Sequence, residues 1–352
     1  MRGSGIVHRH LPLSEADAAR FPGSARISAV WHLPAVLREL DLNLAEVLET
    51  AGVRADIFGD RENRIAYPEF GRLLLACERL SRRDDFVFVV SQRTRLADFG
   101  LPAQIALCSE TAGEALRRLA DDFTLHNSAS IISVTTSGDF ARLAYAIVEQ
   151  GMVETRPFQL GAMTMALNIL RDLCGNDFQP AVVTFASRAP ADLGPIHRFF
   201  RAPVRFDSGE SALIFARHWL DRPLPPVDPP VRRHLETQAQ AQRDLLMTDL
   251  PATVRRIVRS QLLIGDCSMD RVAALLGMHR RTLDRRLQQH GARYGELSEA
   301  VRNDVARQLL RDTGLPIREV AEALQFSSAA NFATAFRRWT GVTPGAYRRG
   351  AR

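Results

Sequence analysis

The chain has 352 residues, 46% of them apolar and 24% charged, and a formal net charge of +6. That length suffices for two domains with buried cores, and the composition is that of a folded globular chain, not a disordered or collagenous one. No apolar run of eighteen residues free of charge occurs, so no membrane span is indicated, and four scattered cysteines (Cys77, Cys108, Cys174, Cys267) argue against a disulfide frame or zinc site and for a reducing cytoplasm.

Residues 1–24 lack the continuous apolar core of a secretory signal and are expected to form a flexible tail. Residues 25–84 read as helical: 34–39, 43–51 and 67–83 carry apolar residues at three-and-four spacing, with Pro68 where a first turn tolerates it. FVFVV at 86–90 has the β-branched and aromatic residues of a short strand. ETAGEALRRLADDF, 110–123, is an amphipathic helix with Thr111 as its N-cap.

The period then changes. SIISVTT at 130–136 and FARLAYAIV at 140–148 flank Ser-Gly-Asp, a hairpin signal. A long buried helix over 156–175 ends at Gly175, followed by a strand over 180–187, a helix near 192–200 and strands near 203–206 and 211–216. Residues 25–220 therefore read as an α+β domain with a mainly antiparallel sheet. Five prolines in DRPLPPVDPPV, 221–231, mark a semi-rigid connection, and 234–250 is a polar helix, either a linker or a dimer contact. Beyond Pro251 every segment reads helical.

Two similar phrases stand in that last part. In VAALLGMHRRTLDRRL, Val272, Ala273 and Leu276 on one helix can meet Leu283 and Leu287 on the next, across a turn at Gly277. In VAEALQFSSAANFATAF, Val320, Ala321 and Leu324 take the first three places and Phe332 and Phe336 the last two. The second turn is one residue longer and carries Gln325 where the first has Gly277. An amphipathic helix within 297–314, about 20 Å long, joins the units. Two such helix-turn-helix units on a rod suit successive major grooves of DNA, roughly 34 Å apart. Charge agrees: residues 251–352 hold 18 Arg against 9 acids, a net of +9, which leaves the first 250 residues near −3.

The run Ser268–Arg348 resembles the DNA-binding domain of AraC/XylS-type transcription regulators through VAALLGM, RRTLDRRL, PIREVAEALQF and, most specifically, AFRRWTGVTPGAYRR. Residues 25–220 resemble more loosely the non-cupin, arabinose-binding-like sensor domain of one subgroup, through DDFTLHN and IHRFFRAPVRFDSGESALIF. The resemblance implies an α+β sensor domain followed by an all-α domain over 251–352 with two helix-turn-helix units joined by a linker helix. It also implies promoter DNA, RNA polymerase and a small organic effector as partners, and transcription activation; the cysteines give the cytoplasmic location, and the dimer-contact alternative for 234–250 leaves room for a homodimer.

By helical spacing Arg280, Arg281, Asp284, Arg285 and Gln288 share the face opposite Leu283 and Leu287. Arg281, Asp284 and Arg285 match base-reading positions of the family. Arginine can fork onto guanine, and Asp284 either accepts from cytosine or, the preferred reading, holds Arg280 or Arg281 at helical distance. On the second unit Ala329, Ala330, Asn331 and Thr334 offer little to a base edge, Arg337 suits a phosphate, and Arg338 either does so or lies on a solvated face. In the sensor half His126 follows a helix and precedes a strand, where it could line a ligand cavity. Trp31, Phe158, Met163, Met165 and Phe185 could face a ligand too, though core packing is their simpler account. His126, Phe158 and Met163 are retained as candidate ligand contacts. No catalytic, cofactor or metal motif is found, so the reading is of a ligand-sensing regulator and not an enzyme. The alternative is an architectural DNA-binding protein that senses nothing.

Overall fold

The computed structural model describes residues 23–147, 154–246, 250–264, 267–276, 278–312 and 315–350. The expected flexible tail, apart from its last residues, and the turn glycine Gly277 lie outside them.

Two short strands, β1 (Ser24–Arg26) and β2 (Arg64–Ala66), pair antiparallel beneath helices α1 (Leu33–Glu39), α2 (Leu44–Ala51) and α3 (Tyr67–Ser81). The sequence reading had only helix here; three residues are too few to show a period of two. Asn43 caps α2 by accepting from Ala45 N, and Gly52 closes it at φ 64°.

FVFVV does not form a strand. It is helix α4 (Phe86–Ser91), in which Phe86, Val87, Phe88 and Val90 are all buried. Strand propensity describes residues packing on a half-exposed pleat, and this segment is covered on all sides, so tertiary packing decides. Close packing shows at Gly161, where a Cβ would lie 3.0 Å from Val87 Cγ1 and 3.1 Å from Ser91 Oγ.

Helices α5 (Leu101–Ala106), α6 (Ala112–Asp121) and α7 (Phe123–His126) follow. Thr111 caps α6 as expected, its hydroxyl accepting from Glu114 N at 3.2 Å. The hairpin forms from β3 (Ser130–Ser137) and β4 (Phe140–Ile147), with Ser137 opposite Phe140 and Gly138 at φ 55°. Helix α8 (Arg156–Cys174) crosses the sheet and stops at Gly175, φ 104°. Strand β5 (Val182–Thr184), helix α9 (Gly194–Phe200), β6 (Val204–Arg205) and β7 (Ser211–Ala216) complete a five-stranded sheet of order β3-β4-β7-β5-β6. Its pairs are antiparallel except β5–β6, which α9 joins by a crossover and which is therefore parallel.

The proline-rich stretch is extended over its first half: Ala112 N donates to Arg222 O and Leu224 N to Glu110 O. Helix α10 (Pro229–Leu246) then starts on two prolines, which a first turn accepts. Its Leu235 and Ala239 pack against Leu101 and Ile105 of α5. In the same region a Cβ at Gly113 would meet Leu220 Cβ and Leu220 O, both at 2.9 Å. Gly113→Ala is expected to cost about 1–3 kcal/mol by forcing α6 away from residue 220. A urea midpoint equal to wild type would disprove that close approach.

The remaining residues are helical: α11 (Leu250–Ile264), α12 (Met269–Leu275), α13 (Arg280–Gln289), α14 (Tyr294–Asp312), α15 (Ile317–Ala323), α16 (Ala329–Thr340) and α17 (Pro344–Gly350). One core unites them, and Val272, Ala273, Leu276, Leu283, Leu287, Val320, Ala321, Leu324, Phe332 and Phe336 are all buried in it. The architecture is an α+β N-terminal domain followed by an all-α domain with two helix-turn-helix units, α12–α13 and α15–α16, joined by α14. At 19 residues α14 is longer than the sequence suggested, about 28 Å of rod.

Candidate functional site

Each unit sets its second helix by a cap. Ser328 Oγ accepts from Asn331 N at 3.1 Å, the usual serine cap. The first unit uses His279, whose Nδ1 accepts from Arg281 N at 3.2 Å, a role sequence reasoning missed because imidazole is not among the favoured capping groups.

On α13, Leu283 and Leu287 turn fully inward and Arg280, Arg281, Asp284, Arg285 and Gln288 are exposed, the division the period predicted. Their partners differ from expectation. Arg280 pairs with Asp270 of α12 at 3.2 Å, and Asp284 accepts from Gln288 Nε2 at 3.1 Å. The preferred pairing of Asp284 with Arg280 or Arg281 does not form: Arg280 turns to Asp270 and Asp284 is taken by Gln288. Among the described residues, Arg281 and Arg285 have neither an ion-pair nor a hydrogen-bond partner for their guanidinium groups. Two unengaged forks one turn apart are what reading guanine edges requires.

The second helix, α16, is poorer. Ala330, Asn331 and Thr334 are exposed, but Asn331 Nδ2 donates to Ser327 Oγ at 2.8 Å and Thr334 Oγ1 to Ala330 O at 3.0 Å. Arg337 is exposed. Arg338 is exposed too, but it forms an ion pair with Glu299 of α14, whose carboxylate also accepts from Trp339 Nε1 at 2.6 Å. That contact ties α16 to the connector.

Gln325 is a further residue whose role the sequence only hinted at. It sits in the second turn at φ 59°, a left-handed conformation that a non-glycine residue rarely adopts. Its amide compensates: Nε2 donates to Gln261 O at 3.1 Å and Leu262 O at 3.3 Å, and Oε1 accepts from Cys267 N at 3.3 Å. Arg302 of α14 reaches the same junction, with Nε on Leu324 O at 3.2 Å and Nη2 on Cys267 Sγ at 2.9 Å.

A second feature lies in the N-terminal domain. Its residues form two hydrophobic clusters, one around α1–α3 and one around the sheet and α8, and a cavity opens at their seam. The space open to the centre of a water molecule is about 70 Å³. Widened by a water radius, a sphere of that size becomes roughly 260 Å³, near the small end of ligand sites. His126, Phe158 and Met163 all line it, with Met165, whereas Trp31 packs on Phe58 and Phe185 on Phe206 elsewhere. Tyr67 and Tyr145, one from each cluster, share a 2.7 Å hydrogen bond on the wall. Burial raises both phenols above their ordinary range. Burial, with Arg26 and Arg64 nearby, pushes the His126 imidazole down to about 3, so it is neutral at physiological pH.

An α+β domain enclosing a cavity, followed by paired helix-turn-helix units with an arginine-bearing outer face, defines a DNA-binding transcription regulator. Residues 42–224 match the family described as the arabinose-binding domain of AraC transcription regulators, N-terminal, and residues 272–350 match a helix-turn-helix domain. The chain belongs to the AraC/XylS family of transcription regulators. Among curated proteins it is 26% identical to the ornithine utilization regulator of Pseudomonas aeruginosa over 89% of this chain and 93% of that one. It is likewise 26% identical to the HTH-type transcriptional regulator VirS of Mycobacterium tuberculosis, over 92% and 96%. The crystal structure of the regulator CdpR from Pseudomonas aeruginosa matches 90% of this chain and 96% of its own at 21% identity and a TM-score of 0.47. The matched domains and relatives are regulators, not enzymes, and no described helix is long and apolar enough to cross a membrane.

Proposed function

We propose that the chain is a cytoplasmic, effector-responsive activator whose two units read promoter DNA unequally. Residues 251–352 bind DNA, with Arg281 and Arg285 reading bases and Arg280 and Gln288 supporting them from the same face. Asp284, held by Gln288, positions that amide. Ala330, Asn331 and Thr334 give the second unit shape contact, and Arg337 a phosphate contact. Residues 25–220 bind a small organic effector in the cavity lined by His126, Phe158 and Met163, and residues 221–250 connect the two parts. Effector binding then favours recruitment of RNA polymerase. One chain carries both reading helices, so DNA binding does not depend on a homodimer.

The observation that carries this reading is the exposed, unengaged pair Arg281 and Arg285, against a second helix whose Asn331 and Thr334 side chains already bond within the chain. Arg285→Ala is expected to cost about 1–3 kcal/mol of DNA binding and to broaden sequence preference at one position, and Thr334→Ala to cost well under 1 kcal/mol. Selection from randomised duplexes, followed by anisotropy titrations at fixed salt, measures both. Equal losses from the two substitutions would reject the unequal division.

A further inference from the structure

We propose that the cavity takes an uncharged, mainly apolar and preferably aromatic molecule carrying one hydrogen-bonding group, such as a phenol, and that His126 is the partner of that group. This rests on the reading of the cavity as the effector site and adds the chemistry of its occupant.

The wall sets the class. Among the described residues, none of the side chains lining the cavity is an acid or an arginine. An ionised ligand would leave water without an opposite charge on that wall, since Arg26 near His126 is paired with Glu62 and Arg64 donates to Ser24 Oγ and Leu125 O, and buried charges without a partner are not tolerated. The polar groups on the wall are few and mostly engaged: the tyrosine hydroxyls bond each other, and Asn127 Oδ1 accepts from Ala129 N at 2.9 Å. A sugar, with a hydroxyl on nearly every carbon, would lose most of its hydrogen bonds on entering. The name of the matched family thus does not describe what this wall can hold.

His126 is the exception. It is 2% exposed, its ring lies 4.4 Å from that of Phe99 and 5.9 Å from that of Phe123, and its Nδ1 is buried with no hydrogen-bond partner among the described residues. Ser91 Oγ, also on the wall, is in the same condition. Buried polar atoms are nearly always paired, so two orphans in residues that line one cavity point to a partner supplied from outside the chain, which a small turn of the imidazole would bring into reach of Nδ1. A neutral imidazole with its proton on Nε2 accepts at Nδ1 from a ligand hydroxyl. The rings of Phe99, Phe123 and Phe158 offer faces and edges against which an aromatic body packs.

The test is calorimetric titration of the full chain with 4-methylphenol, toluene, 4-methylbenzoate and L-arabinose. 4-Methylphenol is expected to bind about tenfold more tightly than toluene, the worth of one good hydrogen bond, and the last two are expected not to bind at the same concentrations. His126→Phe should bring 4-methylphenol down to the level of toluene. Should that variant not fold, the wild-type ranking decides alone. Binding of 4-methylbenzoate or L-arabinose as tight as that of 4-methylphenol overturns the ligand class and leaves the effector site standing. Toluene equal to 4-methylphenol overturns the role of His126. No binding by any of the four overturns both the class and the effector site. Uptake of 4-methylphenol that survives Ala166→Phe, which adds a ring on the helix face shared by the lining residues Phe158, Ala162 and Ile169, places the probe elsewhere and also overturns the proposal.

Discussion

Acidification from pH 6.5 to pH 3 is expected to remove about 4–5 kcal/mol of stability from the N-terminal domain through His126 alone. In the unfolded chain this imidazole takes a proton near its ordinary value of 6.5; in the folded chain it resists until about pH 3. Between those values the unfolded state holds more protons, so stability rises with pH across the window and is fully present above it. Glu78 works in the opposite sense. Burial, only partly offset by Arg156, raises its carboxyl from 4.5 to about 7, so its contribution is present below 4.5 and is lost as pH rises through 7. His126→Phe keeps a ring in the aromatic nest and removes the titration, so its urea midpoint should fall much less steeply between pH 6.5 and 3 than that of wild type. Parallel curves would show that the imidazole is not held neutral.

The largest single loss in the C-terminal domain is expected from Phe336→Ala, about 3–5 kcal/mol. The ring is fully buried and meets Phe332 at 5.7 Å, Tyr347 at 5.4 Å and Trp339 at 6.4 Å between centroids. It is the point where α16, α17 and the core are held together, and truncation leaves a cavity that three rings cannot collapse into. DNA affinity should fall with stability because α16 loses its seat, while thermal stabilisation by a cavity ligand in the N-terminal domain persists. A loss under 1 kcal/mol in chemical denaturation would mean that the aromatic cluster rearranges freely.

The C-terminal domain was legible because its signals are local. Helical period, caps and a repeated pattern placed Leu283, Leu287, Phe332 and Phe336 inward and the arginines of α13 outward, as found. What escaped depends on residues far apart in the chain. Nothing in RRW shows that Arg338 meets Glu299, and nothing in RRTLDRRL shows that Arg280 prefers Asp270 to Asp284. The N-terminal domain hid more. FVFVV carries strand-forming residues, yet being enclosed on all sides makes it a helix, and three-residue strands such as β1 have no readable period. His126, Phe158 and Met163 come from a short helix and a long one, and only the meeting of two hydrophobic clusters brings them to one wall.

Gln325 has a consequence for which promoters can respond. Its amide fastens the second turn to the end of α11 and to Cys267, just ahead of α12, so the two reading units are bolted together there as well as along α14. The gauge between them is consequently fixed by the protein. One base pair inserted between the half-sites rotates the distal one by roughly 34° about the duplex axis, and only twisting or bending of the DNA can absorb that. Spacing, more than the letters of the distal half, is therefore expected to separate responsive promoters from silent ones.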